Sequence, residues 1–188
     1  MFETQVIDDL FTSEFVEKTK KTILAGPWSL VRDMSYNSEN HPHYGFNQSY
    51  KLPNPGVISP LYEMVCVPIL NKIIERLDLK IKDCGAARSF LQLPLADMFR
   101  GGKNGTHIDM NVPHLACVYY VVDSDGDTIV YDQTSKDFPP GQYNVDLSVH
   151  RQVIPQAGRV VVFDGSRYHC SSQPTNGLRC ITNFDLLI

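Results

Sequence analysis

Apolar residues follow two different rhythms along the chain. In the first part they recur at helical spacing. Phe15, Val16, Thr19, Ile23 and Leu24 form one stripe, which predicts a helix starting near Thr12-Ser13, running through EFVEKTKKTILA and stopping at Gly26-Pro27. A second helix is predicted from Ser59-Pro60, a cap followed by proline, with Leu61, Met64, Val65, Ile69, Ile73, Ile74 and Leu77 on its buried face. Pro68 lies inside that run and should kink or interrupt it. Between the helices, residues 33–58 are rich in Asn, Ser, Tyr, Pro and Gly. They read as a long loop with a short strand around 45–51, and loops of that length usually serve as lids or linkers. The aromatic side chains Tyr36, Tyr44, Phe46 and Tyr50 favour a lid that packs.

From about residue 85 the rhythm changes to short β-branched and aromatic runs: AARSFLQLPLADMF, HLACVYYVV, DTIVYDQ, VHRQVIP, GRVVVFDG and LRCITNFDLLI. GGKNG, DSDG, PPGQ, PQAG, DGS and PTNG separate them with turn chemistry. Strands this closely spaced, with no helix between them, predict an antiparallel sandwich or jelly roll. The expected fold is mainly β with flanking helices. It forms a single domain over 1–188, with the N-terminal helices and lid loop in 1–84 and the β core in 85–188. The chain contains no internal repeat and no low-complexity tract.

Composition adds mostly exclusions. A formal charge of −4 and a pI near 5.8 leave no basic footprint, so nucleic acid is an unlikely partner. The five cysteines are odd in number and never in a CxxC pair, which fits a reducing compartment. The start, MFETQVIDDLF, lacks a signal-peptide pattern, and no apolar run approaches a membrane span. A soluble cytoplasmic protein with no membrane partner is expected, its oligomeric state left open. Walker-type, GxGxxG, HExxH and GxSxG motifs are absent, which removes several enzyme classes.

The candidate chemistry centres on His107 and Asp109, two residues apart after the glycine-rich turn. On an extended strand end such side chains point to one side. Taken alone, His107 reads more readily as a surface residue and Asp109 as a turn residue than as metal ligands. His169 follows an apolar strand and a tight turn, and with the first two it would complete a 2-His-1-carboxylate face that suits non-haem Fe(II). Arg179 comes ten residues later on the last long run, where it shares a strand face with Ile181 and Asn183. An arginine fork there can hold a carboxylate.

In this order, the segments HID (107–109), CVYYVVDSDGDTIVYD (117–132), VIPQAGRVVVFDGSRYHCS (153–171) and GLRCITNFDL (177–186) resemble the 2-oxoglutarate- and Fe(II)-dependent dioxygenase superfamily, nearest its prolyl-4-hydroxylase-like branch. The resemblance runs from Arg88 to the C-terminus. It implies a distorted double-stranded β-helix (a cupin-like jelly roll), with His107, Asp109 and His169 as catalytic metal ligands and Arg179 on the distal carboxylate of 2-oxoglutarate. It also implies Fe(II), 2-oxoglutarate and O2 as cofactors and co-substrates, with ascorbate as a possible auxiliary. Such enzymes hydroxylate a C–H bond while 2-oxoglutarate becomes succinate and CO2. Because Asp109 is present, hydroxylation is expected over halogenation, in which a halide needs that coordination position.

Relatives often carry a co-substrate tyrosine before the HxD motif, but here the nearest positions are Met98 and Phe99. Tyr119 or Tyr120 could supply the hydroxyl instead. Thr128, in DGDT, matches a motif near the metal or is simply a strand threonine. Arg88 could reach the pocket. Arg100 and Lys103 could bind an acidic group or flank a turn. His41 and His43 read as loop residues touching substrate or solvent, His114 and His150 as strand-end surface residues, and Cys170 as core packing. Branch resemblance favours a prolyl or other amino-acid side chain in a peptide or protein as substrate. A nucleic-acid or small-metabolite oxygenase, or a non-redox metal-binding jelly-roll module, are the alternatives, and Arg179 argues against the last.

Overall fold

A computed structural model describes residues 2–34, 44–94, 103–139 and 146–188. Strand β1 (Gln5–Ile7) leads into helix α1 (Ser13–Leu24), whose first turn is closed by Thr12 Oγ1 accepting from the Phe15 N–H at 3.2 Å. Strands β2 (Ser29–Val31), β3 (Gly45–Leu52) and β4 (Gly56–Val57) follow. The second helical segment opens with a π-helical turn, Tyr62–Cys66, and becomes α-helix α2 at Val67–Leu77. Pro68 explains the switch. It has no N–H to donate, and its ring crowds the carbonyl one turn back, so the preceding turn widens. This helix therefore begins a little later than the Ser59-Pro60 signal predicts.

The remaining strands are β5 (Asp83–Gln92), β6 (His114–Tyr120), β7 (Thr128–Thr134), β8 (Val149–Val153), β9 (Val160–Asp164), β10 (Arg167–Ser171) and β11 (Arg179–Leu187). They build two antiparallel sheets. The larger runs β1-β9-β6-β11-β5-β3-β2 with β4 beside β3, and the smaller runs β10-β7-β8. The strand expected around 45–51 within the 33–58 stretch is present as β3, one residue longer at its end. It pairs along β5 from Gly45↔Gln92 to Lys51↔Ala87. Residues 35–43, including Tyr36, His41 and His43, lie outside the described residues, and so does the expected lid. Among the described residues, no helix is long and apolar enough to cross a membrane.

Side-chain alternation along the large sheet creates two cores. On β6, Leu115, Cys117 and Tyr119 face the helices with Ile23, Ile69 and Ile73, while Ala116, Val118 and Tyr120 face the small sheet with Val130 and Phe163. All five cysteines are free and buried. A polar chain crosses the helix-side core. Gln48 Nε2 donates to the Ile23 carbonyl at 2.7 Å, the Tyr50 hydroxyl lies 3.0 Å from Gln48 Oε1 and 2.7 Å from Ser89 Oγ, and Ser89 Oγ lies 2.8 Å from Thr182 Oγ1. This chain ties the C-terminal end of α1 to the neighbouring strands β3, β5 and β11. Changing Tyr50 to Phe should leave buried partners unmatched and cost about 1–2 kcal/mol, read as a lower urea midpoint at unchanged m-value.

Candidate metal centre

Residues 103–109 add a ribbon to the small sheet through bridges Lys103↔Ser172 and His107↔His169. The His107 N–H donates to the His169 carbonyl and the His169 N–H to that of His107, each at 3.0 Å. The two imidazoles therefore leave one side of the ribbon, with ring centroids 4.6 Å apart. Each ring is fixed by its own chain: Nδ1 of His107 lies 3.0 Å from the Gly105 carbonyl, and Nδ1 of His169 lies 3.2 Å from that of Arg167. A carbonyl accepts only from a protonated Nδ1, so in the neutral form of each ring the lone pair on Nε2 faces the site.

Asp109 meets both lone pairs. Its Oδ1 lies 3.7 Å from His107 Nε2 and its Oδ2 lies 3.4 Å from His169 Nε2. Ligands about 2.1 Å from a divalent ion and at right angles to one another sit about 3 Å apart, so this triad fits such an ion after a small contraction. Burial pushes the Asp109 carboxyl up, but the neighbouring His169 and His107 outweigh it and hold it well below the usual carboxylate range. Burial likewise lowers His107, and Asp109 overcomes it to leave the imidazole raised.

A second acid lies behind the first. Asp185 is 1% exposed. Burial first, then the nearby Asp109 carboxylate, push it up to about 7 against the opposing pull of Arg88. Asn183 Nδ2 spans the pair, 3.4 Å from Asp109 Oδ2 and 3.3 Å from Asp185 Oδ1, and Arg88 Nη2 donates to Asp185 Oδ2 at 3.0 Å. Asp109, His114 and Asp185 also bring ligand atoms within 4.8 Å of one another. That second grouping suits an ion less well, because Asp185 is already engaged by Arg88 and Asn183 while His114 Nε2 lies against Gly165.

Arg179 closes the far end of the site. Nε donates to the Gly126 carbonyl at 2.7 Å, Nη1 to Gln92 Oε1 at 3.0 Å and Nη2 to Thr128 Oγ1 at 2.9 Å. Among the described residues it pairs with no carboxylate, and it is 4% exposed. Burial draws it below the ordinary arginine value, yet a guanidinium stays charged. A cation held by neutral acceptors at the wall of a cavity is a waiting anion site. The cavity, of about 200 Å³, is lined by the triad, Arg179, Thr128, Asn183, Ile181 and Arg88 among others. Arg179, Ile181 and Asn183 thus share the inward face expected of them.

Other expectations fare differently. Tyr119 packs on the helix side against Phe11, away from the cavity, because its neighbours on β6 reverse direction at every residue. Tyr120 is fully buried behind Arg179 and Thr128, with burial pushing its hydroxyl up to about 12. It backs the cavity wall rather than lining it. His114 is buried at 2% exposure, not on the surface, since the side chain missing at Gly165 leaves room for its ring. His150 is exposed beside Asp132, and Cys170 is buried against Tyr131. Lys103 lies 5.9 Å over the Tyr131 ring. Met98, Phe99 and Arg100 fall outside the described residues. Sequence reasoning missed Gln92 and Asp185, while the DGDT motif pointed to Gly126 with Thr128. A Cβ at Gly126 would come within 2.9 Å of Arg179 Cδ and 2.9 Å of the Ser172 carbonyl.

No protein-family profile matches the sequence, and no curated protein does either. Solved structures do match. An oxidoreductase of the 2OG-Fe(II) oxygenase family from Burkholderia pseudomallei superposes with a TM-score of 0.69 at 13% identity, over 98% of this chain and 84% of that one. A Pseudomonas putida prolyl-4-hydroxylase gives 0.59 at 13% identity, over 98% and 92%. This is the fold of the 2-oxoglutarate/Fe(II) oxygenases. HygX from Streptomyces hygroscopicus, solved with nickel and 2-oxoglutarate, shares that oxygenase fold at a TM-score of 0.61 and 16% identity, over 97% and 82%. The jelly-roll expectation holds on this ground.

Two tests follow from the site itself. Gly126→Ala should push Arg179 out of place and impair binding of a dicarboxylate by about tenfold or more, with metal affinity retained, as read by calorimetry. Asp185 holds its proton more tightly folded than unfolded. Folding therefore favours the protonated form, and stability is lost as pH rises from about 4 towards about 7. Asp185→Asn should flatten that part of the stability profile of the metal-free protein, measured by thermal melts across the range.

Proposed function

We propose that the protein is a 2-oxoglutarate- and Fe(II)-dependent oxygenase that hydroxylates a C–H bond, of a prolyl or other amino-acid side chain in a peptide or protein. The observation that carries this reading is the placement of Arg179, buried without a carboxylate partner among the described residues, on the same inward strand face as Asn183, whose amide touches Asp109. A metal-binding module without redox chemistry has no use for that buried cation. The acidic chain, with its −4 charge, offers no stripe for a phosphate backbone.

In this reading His107, Asp109 and His169 hold Fe(II) on one face and leave three positions free. Bound there with 2-oxoglutarate and O2, the metal supplies an oxidant for C–H hydroxylation as the keto acid is decarboxylated to succinate and CO2. Arg179 anchors the distal carboxylate with its remaining N–H donors, and Thr128, Gln92 and the Gly126 carbonyl keep its guanidinium aimed. Asn183 orients the Asp109 carboxylate. Ile181 and Phe90 contribute apolar wall that excludes water from the reacting centre. The prolyl-4-hydroxylase with the same fold supports an amino-acid substrate.

Anaerobic addition of Fe(II) and 2-oxoglutarate should produce the weak visible charge-transfer band of the chelate. His107→Ala and Asp109→Ala should abolish it through loss of metal. Arg179→Ala should weaken 2-oxoglutarate binding by about 2 kcal/mol or more. A wild-type protein that takes up 2-oxoglutarate equally well with and without metal, or an undiminished Arg179 variant, overturns the reading.

A further inference from the structure

Arg88 stands at the opposite end of the same cavity from Arg179. In register it faces Asn183, whereas Gln92, four residues on, faces Arg179. At about 3.3 Å per residue, the backbones carrying the two cations are about 13 Å apart. Arg88 lies at the metal end: its partner Asp185 and its register neighbour Asn183 both adjoin Asp109, and its charge is felt at His107.

The two guanidinium groups are held in different ways. Arg179 spends three donors on neutral acceptors and is closed in. Arg88 makes one hydrogen bond among the described residues, from Nη2 to Asp185 at 3.0 Å, and lies 5.7 Å over the Phe90 ring. Among the described residues its Nε is buried without an acceptor, while the side chain as a whole keeps 26% of its surface open. A buried donor left unmatched costs stability, and an arginine braced from behind by a buried acid presents its remaining donors forward. Those donors suit a planar, singly charged, two-oxygen acceptor. With Asp185 and Asp109 close by, a doubly charged phosphate would meet repulsion that a carboxylate largely escapes.

We propose that Arg88 binds a carboxylate of the primary substrate, placed a few bonds from the carbon that is oxidised. This rests on the oxygenase reading and narrows it. An internal prolyl residue brings no charge to Arg88, whereas a free amino or other carboxylic acid, or an acidic side chain in a peptide, does. Arg88 thereby sets specificity, and Arg179 serves the co-substrate.

The test titrates the Fe(II)-loaded protein, kept anaerobic and saturated with 2-oxoglutarate, by calorimetry. The probes are free amino and carboxylic acids, their primary amides, and end-blocked peptides carrying Asp or Glu. An acid should bind where its amide does not, Arg88→Gln should weaken it by about ten- to a hundredfold, and Arg88→Lys should recover part of the loss. Binding by free acids or by the blocked peptides identifies the source of the carboxylate. The proposal is overturned if acids and amides bind alike, if no acid binds, if Arg88→Gln binds as tightly as the wild type, or if acids bind only when 2-oxoglutarate is left out and so occupy Arg179. A wild-type protein that takes no 2-oxoglutarate would refute the oxygenase reading instead, and acid binding lost in Arg88→Gln would still stand.

Discussion

The structure turns on one pair of backbone hydrogen bonds, those that His107 and His169 exchange at 3.0 Å. Residues that exchange both bonds across an antiparallel ladder stand directly opposite one another, with their side chains on the same face. Two imidazoles from distant parts of the chain are thus brought ring to ring, and Asp109, two positions further on, is the acid that can reach both. Each ring is then locked by a carbonyl two residues before it. Strand register does most of the work of assembling the three groups, and a divalent ion would need only a small contraction of them.

Strand β11 carries the other half of the site. One face packs Cys180, Phe184 and Leu186 into the helix-side core, where Thr182 joins the polar chain from Tyr50. The opposite face presents Arg179, Ile181, Asn183 and Asp185 to the interior. A strand held rigidly on one side can keep its other side at fixed distances, which is what a site with two cations and two acids requires. Asp109 and Asp185 would repel each other in isolation. They are tolerated because the histidines, Arg88 and the Asn183 amide share their charge.

This charge arrangement gives the cavity a direction. Arg179 sits at one end behind neutral acceptors, the triad lies towards the other, and Arg88 opens beside it. A dicarboxylate reaching from Arg179 to the metal would leave the Arg88 end for a second molecule. The protein's acidic surface has no bearing on this, since the relevant positive charge is buried.

Much of this was readable from the chain. Turn chemistry and β-branched runs marked the strands from residue 85 onwards, because period-two patterning and glycine-rich turns are local properties. HID, the strand-turn histidine and Arg179 could be named for the same reason, each being a short segment with its own chemistry. The short strand around 45–51 was also legible, but its partner was not, since the pairing of GFNQSYKL with β5 is made at long range. His114 looked like a surface residue because the glycine that makes room for it lies 51 positions away (165 − 114). Local sequence cannot register such a vacancy. Arg88 could be named as reaching the pocket, but Asp185 read as an ordinary strand residue until the sheet set it behind Asp109. The sequence by itself determined the class of fold and singled out His107, Asp109, His169 and Arg179 as the candidate groups of the site. Only the tertiary structure decided which charges share the cavity, because burial and proximity between distant residues create their electrostatics.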